Sequence, residues 1–336
     1  MGTLGPNTLA IGPVRVSPGV LLAPMEDVSD LPFRIVCREL GAGLVYTEFV
    51  SAEGLVRRGT GGSPRLRRKL AFLEPERPIG IQLYGASGLS MEQAARQATS
   101  LEPDLIDINC GCWVGKVALQ GAGAGLLQDL DQLREVVTGV VRGTDLPVTV
   151  KTRLGWDSQS IRIVEVARLL EDLGVHALTV HCRTRAQGNK GPVDYSWIPR
   201  IKEAVAMPVV VNGGIAGPED VARAFVHTGC DGVMIARAAV QHPWIFREAR
   251  QHLETGAWTP PEPRERAALC LRHLQLAVEH RGERQALISL RRHYAGYFRG
   301  LPGAARLRAE LCQFRQVRPL EERLHELGAI LRDGHA

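Results

Sequence analysis

Residues 148–181 read VTVKTRLGWDSQSIRIVEVARLLEDLGVHALTVH, and this stretch holds one complete repeat of the chain. Val148–Thr152 and Ala177–His181 are short β-branched runs that end on polar residues. Runs of this kind, bounded by turn residues, suit strands buried on both faces, as in parallel sheets. Between them, Ser160–Leu173 carries apolar residues at helical period, and Gly174 follows as glycine often does at a helix end.

The same unit recurs on both sides. Further strands are expected at Val20–Pro24, Leu44–Thr47, Ile79–Tyr84, Leu105–Asn109, Val209–Asn212 and Gly232–Ile235. Helical segments fall at Met91–Leu101, Asp131–Arg142, Tyr195–Val205 and Glu219–Thr228. Pro218 precedes Glu219 and Asp220 at a helix start, where negative charge complements the dipole. Eight such units match a (β/α)₈ TIM barrel, which typically needs ~250 residues. A doubly wound sheet is the competing α/β arrangement. The count of eight, and the unusual residues at strand C-terminal ends, favour the barrel. Leu9–Val16 is expected to form a hairpin closing the barrel bottom.

After Pro260-Pro261-Glu262-Pro263 no strand-like run follows, and the chain reads as helices broken at Gly282 and at Leu301-Pro302-Gly303. The expected organisation is a barrel over residues 1–255, a proline-rich linker over 256–263 and an α-helical domain over 264–336.

Composition narrows the function classes. Of the 336 residues, 45% are hydrophobic and 23% charged, an ordinary balance for a globular chain. No apolar run approaches the ~18–20 residues of a membrane helix. The N-terminus lacks the basic region and apolar core of a signal peptide, and Pro6 occupies the place where a myristoylation start needs Ser or Thr. A cytoplasmic protein is expected, and a monomer. The seven cysteines (Cys37, Cys110, Cys112, Cys182, Cys230, Cys270 and Cys312) are odd in number, scattered, and without a Cys-x-x-Cys pair. Neither a disulfide framework nor a metal site is expected, and free thiols suit a reducing compartment. The net charge of +5 is modest, but Arg281–Arg318 holds nine arginines, no lysine and only two acids, Glu283 and Glu310. That local excess points to a polyanionic partner.

In a barrel, catalytic and cofactor groups gather at the C-terminal ends of strands. Those ends carry Pro24-Met25, Glu48, Gln82, Asn109, Lys151, His181, Asn212 and Arg237. Each has a bland explanation alone, such as capping a loop; together they form a polar mouth that a structural barrel has no use for. Asn212-Gly213-Gly214 and Ala236-Arg237-Ala238 follow the seventh and eighth strands, where small residues let backbone N–H groups approach phosphate oxygens and an arginine completes the pairing. With Lys151 to neutralise an anionic ring, the set suits FMN. Gly121–Gly125 lacks the G-x-G-x-x-G spacing of a dinucleotide loop and does not directly follow a strand.

These residues fall into motifs that run in order along nearly the whole chain. Leu22–Arg34, Tyr46–Glu48, Ile81–Gly85, Asp107–Cys112, Val150–Arg153, His181–Gln187, Asn212–Ile215 and the segment around Arg237 make the barrel set. Arg291–Tyr294 and Gly300–Arg308 follow in the tail. The chain resembles the tRNA-dihydrouridine synthase family. The resemblance implies that NADPH reduces FMN, that reduced FMN gives hydride to C6 of uracil in tRNA, and that Cys112 protonates C5. It implies cofactor contacts at Pro24, Met25, Glu26, Gln82, Lys151, His181, Asn212, Gly213, Gly214, Ala236 and Arg237. It implies uracil or tRNA contacts at Asn109, Arg183, Arg291, Arg292 and His293, with Lys151 and His181 also available to the uracil.

A thiol of pKa about 8.5 is a suitable donor, since protonating an enolate-like carbon needs an acid that is neutral at pH 7. Cys112 matches the motif's register, and Cys110 reads as buried filler. Trp113 stands where the family usually has proline, and Ala236 where glycine is common. A tryptophan there either fills space beside the uracil or stacks on a base. Two rivals share part of the pattern. An FMN barrel reductase of a small molecule accounts for the strand ends but not the basic tail. A non-catalytic tRNA-binding protein on this fold is suggested by Trp113 and opposed by the presence of Cys112, Lys151 and His181.

Overall fold

The computed structural model describes residues 7–331; residues 1–6, which bear on the signal-peptide and myristoylation readings, and 332–336, the end of the helical segment, lie outside the described residues. Eight parallel strands form the barrel: β1 (Val20–Leu22), β2 (Val45–Tyr46), β3 (Ile79–Tyr84), β4 (Leu105–Cys110), β5 (Val148–Arg153), β6 (Ala177–His181), β7 (Val209–Asn212) and β8 (Gly232–Ile235). They pair in sequence order, β8 returns to β1, and a Leu21–Leu44 bridge closes the ring between β1 and β2. Nearly every strand residue is buried, as the β-branched runs require.

Leu9–Ile11 and Val14–Val16 form the expected antiparallel hairpin. Leu9, Ile11 and Val16 pack with Leu44, Leu105, Ala177 and Val210 at the strand starts, plugging the bottom. The chemistry is thereby left to the other end.

The periodic helices lie at Gly88–Thr99, Leu130–Gly143, Ile163–Asp172, Trp197–Ala204 and Pro218–Thr228, within a few residues of expectation. The helices after β1 and β2 were not expected from periodicity. Leu31–Glu39 is capped by Asp30, whose carboxylate accepts the Phe33 N–H at 3.2 Å. All its residues from Leu31 to Cys37 are buried, because the barrel covers one side and the tail the other.

The helix Ile245–Thr255 ends on Gly256 in the left-handed region, residues 257–262 carry no regular structure, and the first tail helix begins at Pro263. The tail helices are Pro263–Arg281, Glu283–Leu290, Tyr294–Phe298, Ala304–Leu311 and Val317–Ile330, with a core of their own around Leu274, Leu290, Phe298 and Leu320. This bundle rests on the barrel through Leu276 against Leu31, Ile35 and Val36, and through ion pairs from Arg281 to Asp30 and from Arg272 to Glu39. Among the described residues no helix is long and apolar enough to cross a membrane.

Candidate active site

The strand ends surround a cleft of about 590 Å³ lined by Pro24, Met25, Glu26, Asn109, Cys112, Lys151, His181, Arg183, Asn212, Gly213, Gly214, Ala236 and Arg237, among others. The closed ring brings these residues together from loops spread across more than two hundred positions. Gln82 is the exception on the cofactor side. It is fully buried one layer down, where its Nε2 donates to Asp107 Oδ2 at 2.5 Å and its Oε1 accepts from Asn109 Nδ2 at 2.9 Å.

That layer is a directional hydrogen-bond chain. The N–H groups of Gly111 and Cys112 donate to Asn109 Oδ1 at 3.1 and 2.9 Å. Asn109 donates to Gln82, Gln82 donates to Asp107, and Thr149 donates to the other Asp107 oxygen at 2.6 Å. Burial pushes the Asp107 carboxyl up to about 7. Asn109, expected to hold uracil, thus spends its amide oxygen and one amide hydrogen on fixing the Cys112 loop.

Cys112 lies just past the end of β4, half-buried, while Cys110 on the strand is fully buried. Burial pushes both thiols up, so Cys112 keeps its proton at neutral pH. Gly123, at φ +56°, backs the loop; a Cβ there would sit 3.0 Å from Cys112 Cβ. The glycine run at 121–125 therefore serves close packing rather than a nucleotide. Arg153, missed as a site residue, clamps the loop from the far side. Its Nε donates to Gly111 O at 2.8 Å and its Nη1 to Thr184 O and Gly188 O at 3.0 and 2.6 Å.

Lys151 stands two residues along β5 from Arg153. Burial first, then Arg153, pushes its ammonium down to about 8. Burial, then Lys151 and three arginines, pushes His181 down to about 2, so the ring is neutral. Its Nε2 lies 3.2 Å from Arg183 Nη1 and accepts from that guanidinium, which leaves the proton on Nδ1. Arg183 is itself held by Gly191 O at 2.8 Å.

Gly213 and Gly214 form a floor that only glycine allows. Their φ angles are +100° and +78°, and a Cβ would meet His181 Cδ2 at 2.7 Å and Tyr195 Oη at 2.8 Å respectively. Tyr195 Oη donates to Gly213 O at 2.6 Å, and Asn212 Nδ2 to Met234 O at 2.8 Å, tying the β7 loop to its neighbours. Gly213, Gly214 and Arg237 line the same cleft, a set that fits a phosphate, and Lys151 beside them fits an anionic ring. After β1, Glu26 is paired with Lys69 at 2.5 Å and Arg65 at 2.9 Å. The oxygens of Glu26, Asp27 and Glu48 gather within 4.8 Å of one another, and those two cations meet them.

The tail residues divide. Arg291 and Arg292 are exposed, and Arg292 donates to Asp27 O beside the mouth. His293 does not reach the surface: its ring is buried 4.7 Å from Phe33 and 4.8 Å from His273, where burial pushes its pKa down. The expected RNA contact at His293 is therefore corrected to a neutral packing role between barrel and tail. A second basic ridge was missed. Residues 54–73 hold Arg57, Arg58, Arg65, Arg67, Arg68 and Lys69 without an acid, and most of these cations face solvent. They lie on the helices Ala52–Arg58 and Pro64–Leu70, around a cleft that shares Glu26 and Phe49 with the mouth. The unbroken run of cations is the signal that finds it.

Residues 21–332 match the family model described as dihydrouridine synthase. The chain is 39% identical to tRNA-dihydrouridine synthase B of Pseudomonas aeruginosa, over 90% of this chain and 91% of that protein. It is 38% identical to a probable tRNA-dihydrouridine synthase 1 of Synechocystis sp., over 94% and 88%. Among solved structures, an old yellow enzyme homologue from Zymomonas mobilis shares the fold at a TM-score of 0.53 and 14% identity, over 76% of this chain and 93% of that one. With a family model spanning almost all of the sequence and relatives aligned over about nine-tenths of both chains, the chain belongs to the dihydrouridine synthase family.

Proposed function

We propose that this chain is a tRNA-dihydrouridine synthase, a flavin-dependent oxidoreductase that reduces the 5,6 double bond of uridine in tRNA, with NADPH as reductant. The observation that carries the proposal is a neutral thiol, Cys112, in a cationic cleft whose floor is built to admit a phosphate. Family membership and the activity named for the relatives support it. The unpaired cysteines support a reducing, cytoplasmic setting.

Gly213, Gly214 and Arg237 would hold the FMN phosphate, and Lys151 the ring, with Pro24, Met25 and Ala236 lining the mouth. Bound FMN supplies the hydride that uracil C6 requires. Cys112 Sγ delivers the proton to C5, and the cations Arg153 and Lys151 stabilise the thiolate left behind. Neutral His181, fixed by Arg183, offers its Nδ1–H to a carbonyl. A stacked base cannot enter the cleft, so the target uridine leaves its stack at a cost of a few kcal/mol. Contacts of the basic tail and ridge with phosphates offset that cost.

The direct test is to incubate FMN-loaded protein with unmodified tRNA and NADPH and measure dihydrouridine by mass spectrometry. Formation of dihydrouridine is expected. Its absence, with FMN and tRNA both bound, overturns the proposal in favour of a binding protein on this fold.

Two further results are expected. Arg291→Ala with Arg292→Ala weakens tRNA binding and flattens its log–log salt dependence by roughly 0.7–0.9 for each phosphate no longer neutralised. Arg57→Ala with Arg58→Ala does the same from the second ridge. An unchanged salt slope removes the RNA role of the pair concerned. The second result concerns pH. The Lys151 ammonium is present below its pKa of about 8 and lost as pH rises through it. FMN affinity, followed by flavin fluorescence, therefore falls as the pH is raised from neutral through that pKa. Lys151→Met starts roughly 10- to 100-fold weaker, the worth of a charged hydrogen bond, and loses that dependence. A wild-type profile flat across this range rules out the assigned charge.

A further inference from the structure

Trp113 follows Cys112 directly, and its indole is 44% exposed on the lip of the catalytic cleft. Val114 beside it is 48% exposed, so this part of the lip is apolar. The indole is held in place. Its six-membered ring lies on the backbone of Gly188, where a Cβ would meet Cε3, Cζ3 and Cδ2 at 3.4, 3.5 and 3.6 Å. Gly188 has φ +57°, which disfavours any side chain there and keeps the contact open. Gly188 O accepts from Arg153 Nη1, and Gly111 O, two residues before the indole, accepts from Arg153 Nε. One buried guanidinium thus fixes both the loop that carries the ring and the loop that supports it.

An aromatic plate that is backed on one side and open to the mouth is a stacking surface. The proposed reaction creates a need for one. When the target uridine leaves its stack to reach Cys112, the base next to it on the strand loses a stacking partner. We propose that Trp113 stacks on a nucleobase flanking the target uridine, and is thereby a positioning residue that helps select which uridine enters. The inference rests on the proposed function for its substrate. Every nucleobase offers a π-face, so the contact reads the distance from the target nucleotide to its neighbour rather than the neighbour's identity.

The test compares Trp113→Ala, Trp113→Phe and wild type, all FMN-loaded, on tRNA transcripts that are intact or carry a single abasic nucleotide on either side of the modified uridine. Trp113→Ala is expected to raise KM for intact tRNA about 5- to 100-fold, the worth of one base on an aromatic side chain, with a much smaller change in kcat. Trp113→Phe recovers part of the loss. One of the abasic transcripts costs wild type a similar factor and costs Trp113→Ala little more, the coupling expected of direct partners. tRNA quenches an indole emission component that Trp113→Phe lacks.

Three outcomes overturn the inference. A fall in kcat at constant KM assigns the indole to loop shape. Additive losses from the variant and both abasic sites mean no base stacks there. A matching loss in NADPH-driven flavin reduction assigns the ring to the reductant. Should wild type form no dihydrouridine, the proposed function fails first. The stacking contact is then judged on tRNA affinity and quenching alone, where equal values for wild type and Trp113→Ala exclude it.

Discussion

Cys112→Ala is expected to lower dihydrouridine formation about 10²- to 10⁴-fold, the range for removing a positioned general acid. Its thiol has the qualities the step needs. Burial keeps it protonated at neutral pH, and the neighbouring Arg153 and Lys151 favour the thiolate that forms once the proton has gone. The Asp107–Gln82–Asn109 chain and the Arg153 clamp hold its loop from two sides. Single-turnover reoxidation of NADPH-reduced enzyme by tRNA, followed at the flavin absorbance, measures the step apart from reductant binding. Cys110→Ala is the comparison: that thiol is fully buried, so its loss is expected to cost stability and leave turnover per folded molecule nearly intact. Equal rates for wild type and Cys112→Ala would remove the thiol from the chemistry.

The second large effect concerns stability. Arg34→Ala is expected to destabilise the protein by about 3–5 kcal/mol, since it strips one partner from a fully buried ion pair. Arg34 Nε donates to Glu76 at 2.6 Å, Nη1 to Ser29 O at 2.9 Å and Nη2 to Ala71 O at 2.8 Å. Both side chains are 0% exposed. Removing the guanidinium strands the Glu76 carboxylate, whose remaining protein donor is the Leu73 N–H at 2.7 Å. At roughly 2–4 °C per kcal/mol for a chain of this class, the melting temperature falls on the order of 10 °C. Arg34→Lys is not expected to rescue it, because an ammonium cannot span three acceptors in a planar fork. The bond to Ser29 also steadies the segment that carries Pro24, Met25 and Glu26, so weaker FMN binding accompanies the loss. A melting temperature within about 2 °C of wild type would contradict the assigned cost.

Much of this molecule is legible before it folds. The barrel strands are visible because burial on both faces demands β-branched runs, and Val148–Arg153 and Val209–Asn212 could hardly be anything else. The mouth is legible because the end of a strand is also the barrel's rim, so His181 and Asn212, the last residues of β6 and β7, and Lys151 near the end of β5 declare themselves by register. The helix Leu31–Glu39 is less plain, because Pro32 in its first turn reads as a breaker until Asp30 is recognised as the N-cap before it.

The sequence by itself determined the eight-fold repeat, the polar residues that the repeat delivers to one rim, the motif order that marks the family, and the surplus of cations in the tail and at 57–69. Only the tertiary structure decided which of these residues touch. Gln82, Asp107 and Asn109 form one chain because β3 and β4 lie side by side in the closed sheet. His293 sits in an arginine-rich motif that points to RNA, yet the seam between bundle and barrel claims it, and a buried imidazole there is neutral. Arg153 and Gly188 are thirty-five positions apart and jointly fix Trp113. Local pattern reports what each residue needs, water or shelter. Which neighbour meets that need is settled by long-range closure, and no period in the sequence records it.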